Sequence, residues 1–386
     1  MAFSTTQTNN KLIRFTEQIN REWVRQNMFS PYMGEELNSI IRRRMELKNG
    51  GEVMNIPLVT RLAGAGVATG TLVGFEDEID DYGMRLWVEW CRNALVTKKS
   101  EQQKDSADTF GEAKPLLSDW LNEKTRDEII AALHALPSES QPAADVRVNG
   151  ILYNLATATQ RGQWQLDNAD RVLFGASTAN RVASAVATDH AASLANVDTT
   201  ADKCTAPNVS LLRRIAMNAN PRIRPYRTND GYEHYVAFFG SNTFRDLKIS
   251  LETVNKDARS REGRYANGHP DNPIYQSGDE MYDGVICRMV PEISSFVTNV
   301  WTNLLTAGAS SARVEPVFLC GQQAAAIAYG QMAKPTFRAE DDYGFIKGVG
   351  IEACYGVGKT YKKHPKAGTA LKQWGVVTGY FASAAD

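Results

Sequence analysis

The chain has 386 residues, 43% hydrophobic and 23% charged, which is a balance typical of a globular protein with enough apolar material for a core. Its 43 basic and 44 acidic side chains give a formal net charge of −1, which argues against a dedicated nucleic-acid-binding protein. No apolar run approaches the roughly 20 residues that span a bilayer, and the start lacks the features of a secretion signal.

These features favour a protein made and kept in a reducing cytoplasm. The five cysteines are scattered along the chain without a C-x-x-C pair. We therefore expect free, buried thiols that pack as small hydrophobic groups.

The first 50 residues predict two thin amphipathic helices separated by a break at FSPYMG. The first is marked by apolar residues at helical spacing: Leu12, Phe15, Ile19 and Trp23. The second is predicted over residues 33–51, with Ile40 and Ile41 on one side and Gly50 and Gly51 at its end.

From Val53 the spacing of the apolar residues changes from that of a helix to that of a strand. The pattern predicts a ribbon of two long strands around a glycine-rich tip. EVMNIPLVTRL is the first strand, which Pro57 restricts to an edge, and MRLWVEWCRNALV is the second. Between them lie AGAGVATGTLVG and the acidic FEDEIDDYG. The ribbon carries large apolar groups on both faces, and a two-stranded ribbon is only marginally stable alone in water. We therefore expect it to pack on a partner surface.

Residues 101–136 form the strongest helical region, which Gly111 and Pro115 are expected to bend or restart. Its apolar stripe consists of Phe110, Ala113, Leu117, Trp120, Leu121, Ile129, Ile130 and Leu133. After a loop at 137–146, we predict a mixed body and a polar surface loop over 256–280. Its predicted helices lie near 208–218, 241–254 and 321–332, and its strands near 233–240, 282–290, 313–320, 344–361 and 374–382.

ACYGVGKT, at Ala353–Thr360, is similar to the phosphate-binding pattern G-x-x-x-x-G-K-[ST]. Its last three positions are Gly358, Lys359 and Thr360, but Ala353 stands where the first glycine belongs. A helix should follow, so that its free N–H groups face the phosphates. The chain continues instead with YKKHPKAGTALKQWG. A bent strand is the favoured interpretation, and a nucleotide-binding enzyme is a distant alternative.

Other motifs for catalysis or metal binding are incomplete. GAGVATG lies between two strands with no helix after it, and GASTA at Gly175 lacks the final glycine of a nucleophile elbow. The acidic run at 76–81 lacks the order of a calcium loop, so we expect a solvated or partner-facing patch. The histidines lack metal-ligand spacing: His134, His190, His234, His269 and His364. We expect no catalytic, cofactor or metal site.

Two basic stretches remain, RRIAMNANPRIRPYR from Arg213 and GKTYKKHPK from Gly358. Arginines interleaved with aromatic residues can bind nucleic acid. Intersubunit or surface salt bridges are the favoured interpretation.

The order of these parts resembles the major capsid protein of tailed bacteriophages, which has the Hong Kong 97-type fold. Individual stretches are similar to its short-tailed N-four branch, from about residue 30 to the end. They include SPYMGEELNSIIRRRMELKNGGEVMNIPLVTRLAGAGVATGTLVGFEDEIDDYG, RPYRTNDGYEHYVAFFGSNTFRDLK, NPIYQSGDEMYDGVICRMVPE, EPVFLCGQQAAAIAYGQ, EDDYGFIKGVGIEACYGVGKTYKK and WGVVTGYFA. Phe75 stands where that branch usually has asparagine in its loop tip.

The resemblance implies an α+β fold with five parts. These are an N-terminal arm at 1–50, an extended β-hairpin loop at 51–100, the spine helix and peripheral domain at 101–205, a mainly axial domain at 206–345, and return strands of the peripheral domain at 346–386.

The implied function is structural: self-assembly as hexamers and pentamers into an icosahedral shell around double-stranded DNA, with no catalytic site. The implied location is the virion, and the host cytoplasm during assembly. Implied partners are further copies of the chain, a portal protein, a scaffolding protein, a decoration protein and non-specifically held DNA, but no membrane. An encapsulin-type cellular shell is the nearer alternative. The assembly-contact candidates are Trp23, Arg61, Gly64, Gly66, Gly70, Glu76, Glu78, Trp87 and Trp90.

Overall fold

A computed structural model describes residues 24–25, 27–59, 66–73, 76, 81–104, 109–227, 231–252, 280–339, 342–363 and 370–383. Its α-helices are α1 (Lys99–Lys104), α2 (Ala113–His134), α3 (Ala158–Asp167), α4 (Asp189–Ala195), α5 (Ala206–Asn218), α6 (Ser241–Ser250) and α7 (Pro291–Asn299).

The first nine strands are β1 (Met33–Gly34), β2 (Ile41–Arg44), β3 (Val53–Val59), β4 (Asp81–Trp87), β5 (Glu89–Lys98), β6 (Val148–Asn149), β7 (Val172–Phe174), β8 (Tyr226–Arg227) and β9 (Glu233–Phe239). The others are β10 (Glu280–Tyr282), β11 (Val285–Met289), β12 (Val314–Cys320), β13 (Ala325–Phe337), β14 (Ile346–Lys359), β15 (Tyr361–Lys363), β16 (Leu371–Gln373) and β17 (Val376–Ala382).

The three longest strands, β5, β13 and β14, lie in one sheet of the order β1-β2-β13-β14-β5, with β6 paired beside β14. We call it the long sheet. Strand β5 runs antiparallel to β14 along its whole length, from Glu89 opposite Tyr355 to Lys98 opposite Ile346. Helix α2 crosses this sheet, and its Ile129 and Leu133 belong to the same buried cluster as sheet residues. The helix therefore supports the sheet from one side.

A second sheet has the order β10-β11-β9-β12-β17-β7, with β8 paired to β9. Every residue of β12 and β17 is buried. Phe318 and Tyr380 belong to the core shared with α2, whereas Leu319 and Phe381 pack in the cluster with α5 and α6. Because both faces are covered, these strands are apolar along their length.

Strands β3 and β4 form the predicted two-stranded ribbon. Only one face of β3 is buried, through Met54, Ile56 and Leu58, and this face packs on the subunit's own Ala326 and Tyr361. The expectation that the whole ribbon needs a partner surface is therefore wrong for its inner face.

The predicted second strand of the ribbon is interrupted at Val88, and β5 leaves the ribbon to join the long sheet. The Asn149 side chain explains the break. It accepts a hydrogen bond from the Trp87 N–H at 2.9 Å and donates one to the Trp87 carbonyl at 3.0 Å, and so satisfies the backbone of β4 on the side away from β3.

Two predicted helices are strands instead. Ile41–Arg44 pairs in parallel with Ala325–Ala328 of β13, which lies in the predicted helix over 321–332 and pairs with β14 on its other side. The sequence GQQAAAIAY has the propensity of a helix, but a central strand covered on both faces accepts small residues. Tertiary pairing overrides local preference at both places, while Gly50 does end a short helical turn at Glu46–Asn49.

Other predicted elements are confirmed. Helix α2 begins at Ala113 after a 3-10 turn at Thr109–Glu112, and Pro115 lies in its first turn, where a missing N–H is tolerated. Helices α5 and α6 and the five later predicted strands also form. The predicted first helix and most of the 256–280 loop lie outside the described residues, and the five-part domain division stays a prediction.

Candidate assembly surface

The structure places the predicted contact residues in three groups. Gly66, Gly70 and Glu76 are exposed in the described part of the ribbon tip. Trp87 is half-buried at the end of β4, and the Trp90 side chain is 46% exposed on β5. The remaining candidates lie outside the described residues: Trp23, Arg61, Gly64 and Glu78.

The described tip carries apolar side chains in water. Leu72 is 58% exposed and Val73 is 78% exposed. The sequence continues directly into the acidic run that contains Glu76. A protruding segment that combines exposed apolar groups with carboxylates has the composition of an interaction site.

The distal part of the long sheet presents a level surface, which we call the flat face: Ala94, Val96, Thr336, Gly348 and Gly350. Ala94 lies opposite Gly350, and Val96 lies opposite Gly348, so their side chains project from the same side of the sheet. A Cβ on Gly350 would lie 2.8 Å from the Thr336 Oγ1 atom. The two glycines therefore add no side chain of their own to this surface, although the Arg338 side chain lies against Gly348, and Val96 remains 53% exposed.

Cations surround the flat face. Arg92 and Lys334 both lie opposite Glu352, and Lys98 lies opposite Ile346, which places all three cations on this side of the sheet. The Arg338 Cβ lies 3.0 Å from the position of a Cβ on Gly348. The carboxylate of Glu352, which accepts a hydrogen bond from the Gln331 side chain at 2.9 Å, offsets one of these charges, and the cations still outnumber it. The rim therefore favours an acidic partner.

Strand β5 is an edge strand, since within the described residues its named strand partner is β14 alone. Alternate residues of β5 direct their backbone N–H and C=O groups away from that partner. The Trp90 carbonyl accepts a hydrogen bond from Arg147, and the Trp90 and Ala94 N–H groups donate to the Glu89 and Asn93 side chains, so the available edge is the part beyond Ala94. Such an edge can accept a strand from another chain.

Sequence reasoning identified Trp90 but missed the flat face, because its residues come from three distant segments. One signal was available: glycines alternating with Val349 in the strand FIKGVGIEA remove the side chains from one face only.

The nucleotide-loop alternative is wrong, since β15 follows Lys359 where a helix is required. Lys359 is only 3% exposed. Its Nζ donates a hydrogen bond to the Leu133 carbonyl in the last turn of α2 at 3.2 Å and lies 5.5 Å from the centre of the Trp164 ring. Burial lowers the pKa of this lysine to about 7. The residue is therefore a buried donor to the end of the helix and is closed to a nucleotide.

Replacing Lys359 with Met is expected to raise the free energy of unfolding at pH 6 by about 2 kcal/mol, because burying an ionised amine without a carboxylate is costly. The difference in stability between the variant and wild type should shrink between pH 7 and 10, because the wild-type amine is neutral in the folded protein at pH 10. Urea unfolding at pH 6, 8 and 10 measures both effects. A variant that is less stable than wild type at every pH would contradict the conclusion that the buried charge of Lys359 is a net cost.

The remaining candidate groups are structural within the described residues. No cluster of three His, Cys, Asp or Glu side chains there could hold a metal ion. All five cysteines are free and buried, as expected. In the basic stretches, Arg213 pairs with Asp283, Arg227 with Glu233 at 2.6 Å and Lys363 with Glu139 at 3.0 Å. The predicted salt bridges are therefore confirmed for these three cations.

Comparison with known proteins decides the family. Residues 11–385 match a family model described as phage capsid protein. The chain belongs to the phage capsid protein family. A solved cyanophage Pam1 capsid asymmetric unit is 32% identical to this capsid protein, with both chains covered by 100% and a TM-score of 0.84. No curated protein sequence matched.

More distant structures share the fold. The capsid of Ralstonia phage GP4 aligns over 99% of both chains with 17% identity and a TM-score of 0.68. The acidic stable capsid of Helicobacter pylori bacteriophage KHP30 aligns over 99% of both chains with 14% identity and a TM-score of 0.65.

The capsid protein therefore has the predicted α+β, Hong Kong 97-type fold. It is a major capsid protein, a structural component of the virion that associates with copies of itself in an icosahedral shell. Among the described helices, none combines the length and the apolar character that crossing a membrane requires.

Proposed function

We propose that the capsid protein assembles in the host cytoplasm as hexamers and pentamers of a shell that encloses double-stranded DNA, and that it has no catalytic role. The observation that carries the proposal is the match to a phage capsid at 32% identity over the full length of both chains. A scaffolding protein, a portal protein and a decoration protein are its proposed partners. The encapsulin-type alternative gains no support, because the matched structures reported above are phage capsids.

The contact with DNA is proposed to be non-specific. The formal net charge of −1 means that the chain as a whole carries no excess of cations. A strongly basic protein would bind many phosphates and hold the genome tightly. A nearly neutral one lets DNA move while the shell is filled.

The ribbon tip is proposed to lie on the flat face of a neighbouring copy. The tip carries exposed Leu72 and Val73 followed by an acidic run, whereas the flat face is apolar, level and surrounded by cations. Opposite charges around an apolar centre favour correct docking and exclude wrong partners. Because the two surfaces differ, the contact is head-to-tail, the type of contact that builds closed rings.

Reversing two charges of the rim, by Arg92→Glu and Lys98→Glu together, is expected to lower the yield of assembled shells at least about tenfold, since both cations would then repel the acidic tip. Analytical sedimentation and electron microscopy measure the yield, and circular dichroism checks that the subunit remains folded.

Lys347→Glu is the matched control. Lys347 is exposed on β14 opposite Thr97, on the other side of the same sheet, and its reversal should leave assembly intact. Adding Glu76→Lys and Glu78→Lys to the double variant should restore part of the yield. Equal loss from the control, or no loss from the double variant, would reject this docking surface.

A further inference from the structure

A cavity of about 220 Å³ lies between α3, α4 and the segment 303–307, away from the flat face and the ribbon. Its walls are mostly apolar: Ala158, Ala187, Ala191, Leu194 and Ala307. Arg161, His190 and Asn303 supply its polar groups. An apolar pocket with a few convergent polar groups is the usual form of a small-molecule site.

The size of the cavity limits its occupant. An apolar protein cavity of about 150 Å³ is known to hold benzene. A space of about 220 Å³ therefore accepts a body of benzene size together with one short substituent. Because Ala158, Ala191 and Asn303 are exposed, the cavity opens to solvent and a ligand can enter.

The walls are held in place by close packing. A Cβ on Gly162 of α3 would lie 1.6 Å from the Val186 carbonyl oxygen, so the helix and the 181–188 segment are in direct backbone contact. Asp189 holds the same segment, since its carboxylate accepts hydrogen bonds from the Ser184 and Ala185 N–H groups at 2.9 and 2.7 Å. The cavity is therefore formed before any ligand binds.

The polar side of the cavity is basic. The Arg161 guanidinium donates from Nε and Nη2 to the Ala156 carbonyl at 3.2 and 2.9 Å. Arg161 and Asn303 also act on the nearby Tyr153 hydroxyl. A guanidinium has five N–H groups, so Arg161 keeps donors for an anion. His190 is 3% exposed and hydrogen-bonds the Tyr153 hydroxyl at 2.9 Å and the Gln165 side chain at 3.3 Å.

Arg161 supplies the positive charge of this region, because burial keeps both nearby imidazoles neutral. Burial and the Arg161 charge lower the pKa of His190 to about 3. The nearby His134 is affected in the same direction by burial, Lys359, His190 and Arg161. Within the part of the chain that the structure describes, the adjacent carboxylate of Asp189 is engaged with the backbone of 184–185. A ligand that carries a negative charge would meet favourable electrostatic potential here.

We propose that this cavity binds a small organic acid, with its carboxylate against Arg161 and the Asn303 amide and its apolar body, of about benzene size, against the alanine and leucine walls. Such a ligand would join α3, α4 and the 303–307 segment and so stabilise the subunit. The site goes beyond the assembly function and does not depend on it.

The test uses the purified full-length protein with benzoate as the probe and benzyl alcohol as its uncharged counterpart of similar size. Isothermal titration calorimetry is expected to show benzoate binding at least about tenfold more tightly than benzyl alcohol. Arg161→Gln should remove this preference. Benzoate that binds no more tightly than benzyl alcohol, or no binding of either up to about 10 mM, would overturn the proposal.

A second pair of variants tests the location. Ala191→Phe fills the cavity and should abolish benzoate binding, whereas Ala195→Phe, at the exposed end of the same helix, should leave it unchanged. If Ala191→Phe binds benzoate as well as wild type does, the ligand lies elsewhere and the proposal fails.

Discussion

Lowering the pH from 6.5 to 5 is expected to reduce the free energy of unfolding by about 3 kcal/mol through two buried histidines. His134 is 0% exposed and its Nε2 hydrogen-bonds the Tyr380 hydroxyl at 2.9 Å. His190 is 3% exposed and bonds Tyr153 in the same way. Burial first, and then nearby positive charges, lower the pKa of both imidazoles.

The direction follows from the protons that each state binds. In the unfolded chain both histidines bind protons near their ordinary pKa of 6.5, whereas folded His190 does so only near about 3. The unfolded state therefore binds more protons as the pH falls below 6.5, and stability is lost until the folded histidine also titrates. At pH 6.5 half of each unfolded histidine is already protonated, so lowering the pH to 5 removes about 1.7 kcal/mol of stability for each histidine.

Urea unfolding at pH 6.5 and pH 5 measures this loss while most carboxylates are still ionised. The double variant His134→Gln and His190→Gln should lose much less stability over the same range. His234→Gln, at a partly exposed position on β9, is the control and should behave as wild type does. A double variant that loses as much stability as wild type would show that other groups cause the acid sensitivity.

Gly356→Ala is expected to destabilise the subunit by about 3 kcal/mol, enough to lower the yield of folded protein. The added Cβ would lie 1.9 Å from the Trp87 carbonyl oxygen and 2.9 Å from its carbon. Neither backbone can yield easily, because Asn149 fixes Trp87 and β14 is paired on both sides at this point. This contact joins the ribbon to the long sheet.

Gly330→Ala, in the neighbouring strand β13, is the matched control. Its Cβ would lie 3.1 Å from the Cys354 sulfur, the end of a side chain that can shift. We expect this substitution to lower the free energy of unfolding, measured by chemical denaturation, by less than about 1 kcal/mol. Equal costs for the two substitutions would show that the backbone contact at Trp87 is not the determining feature.

The ribbon and the long helix could be predicted because each is encoded locally. Alternation in VMNIPLV defines β3, and the stripe that contains Ile129 and Leu133 defines α2. The segment Ala325–Ala328 could not, because its small residues form a strand only when β2 and β14 pair with it. Local propensity does not encode a partner that is distant in sequence.

The candidate surface likewise has parts that could be predicted from local sequence and parts that could not. Trp90 and the acidic tip are visible in the sequence as local composition. The flat face combines Ala94, Thr336 and Gly350, which become neighbours only through strand register. Similarly, Arg161 and His190 lie on separate helices, and their common cavity depends on the packing of α3 against α4.

The most direct test of the central claim is electron microscopy of the purified protein together with sedimentation velocity on the same sample, with and without a co-expressed scaffolding protein. We expect uniform hollow shells, or rings of capsomer size that close into shells when the scaffold is present. A protein that stays monomeric or forms only small, discrete oligomers under both conditions would contradict its role as a shell-forming subunit.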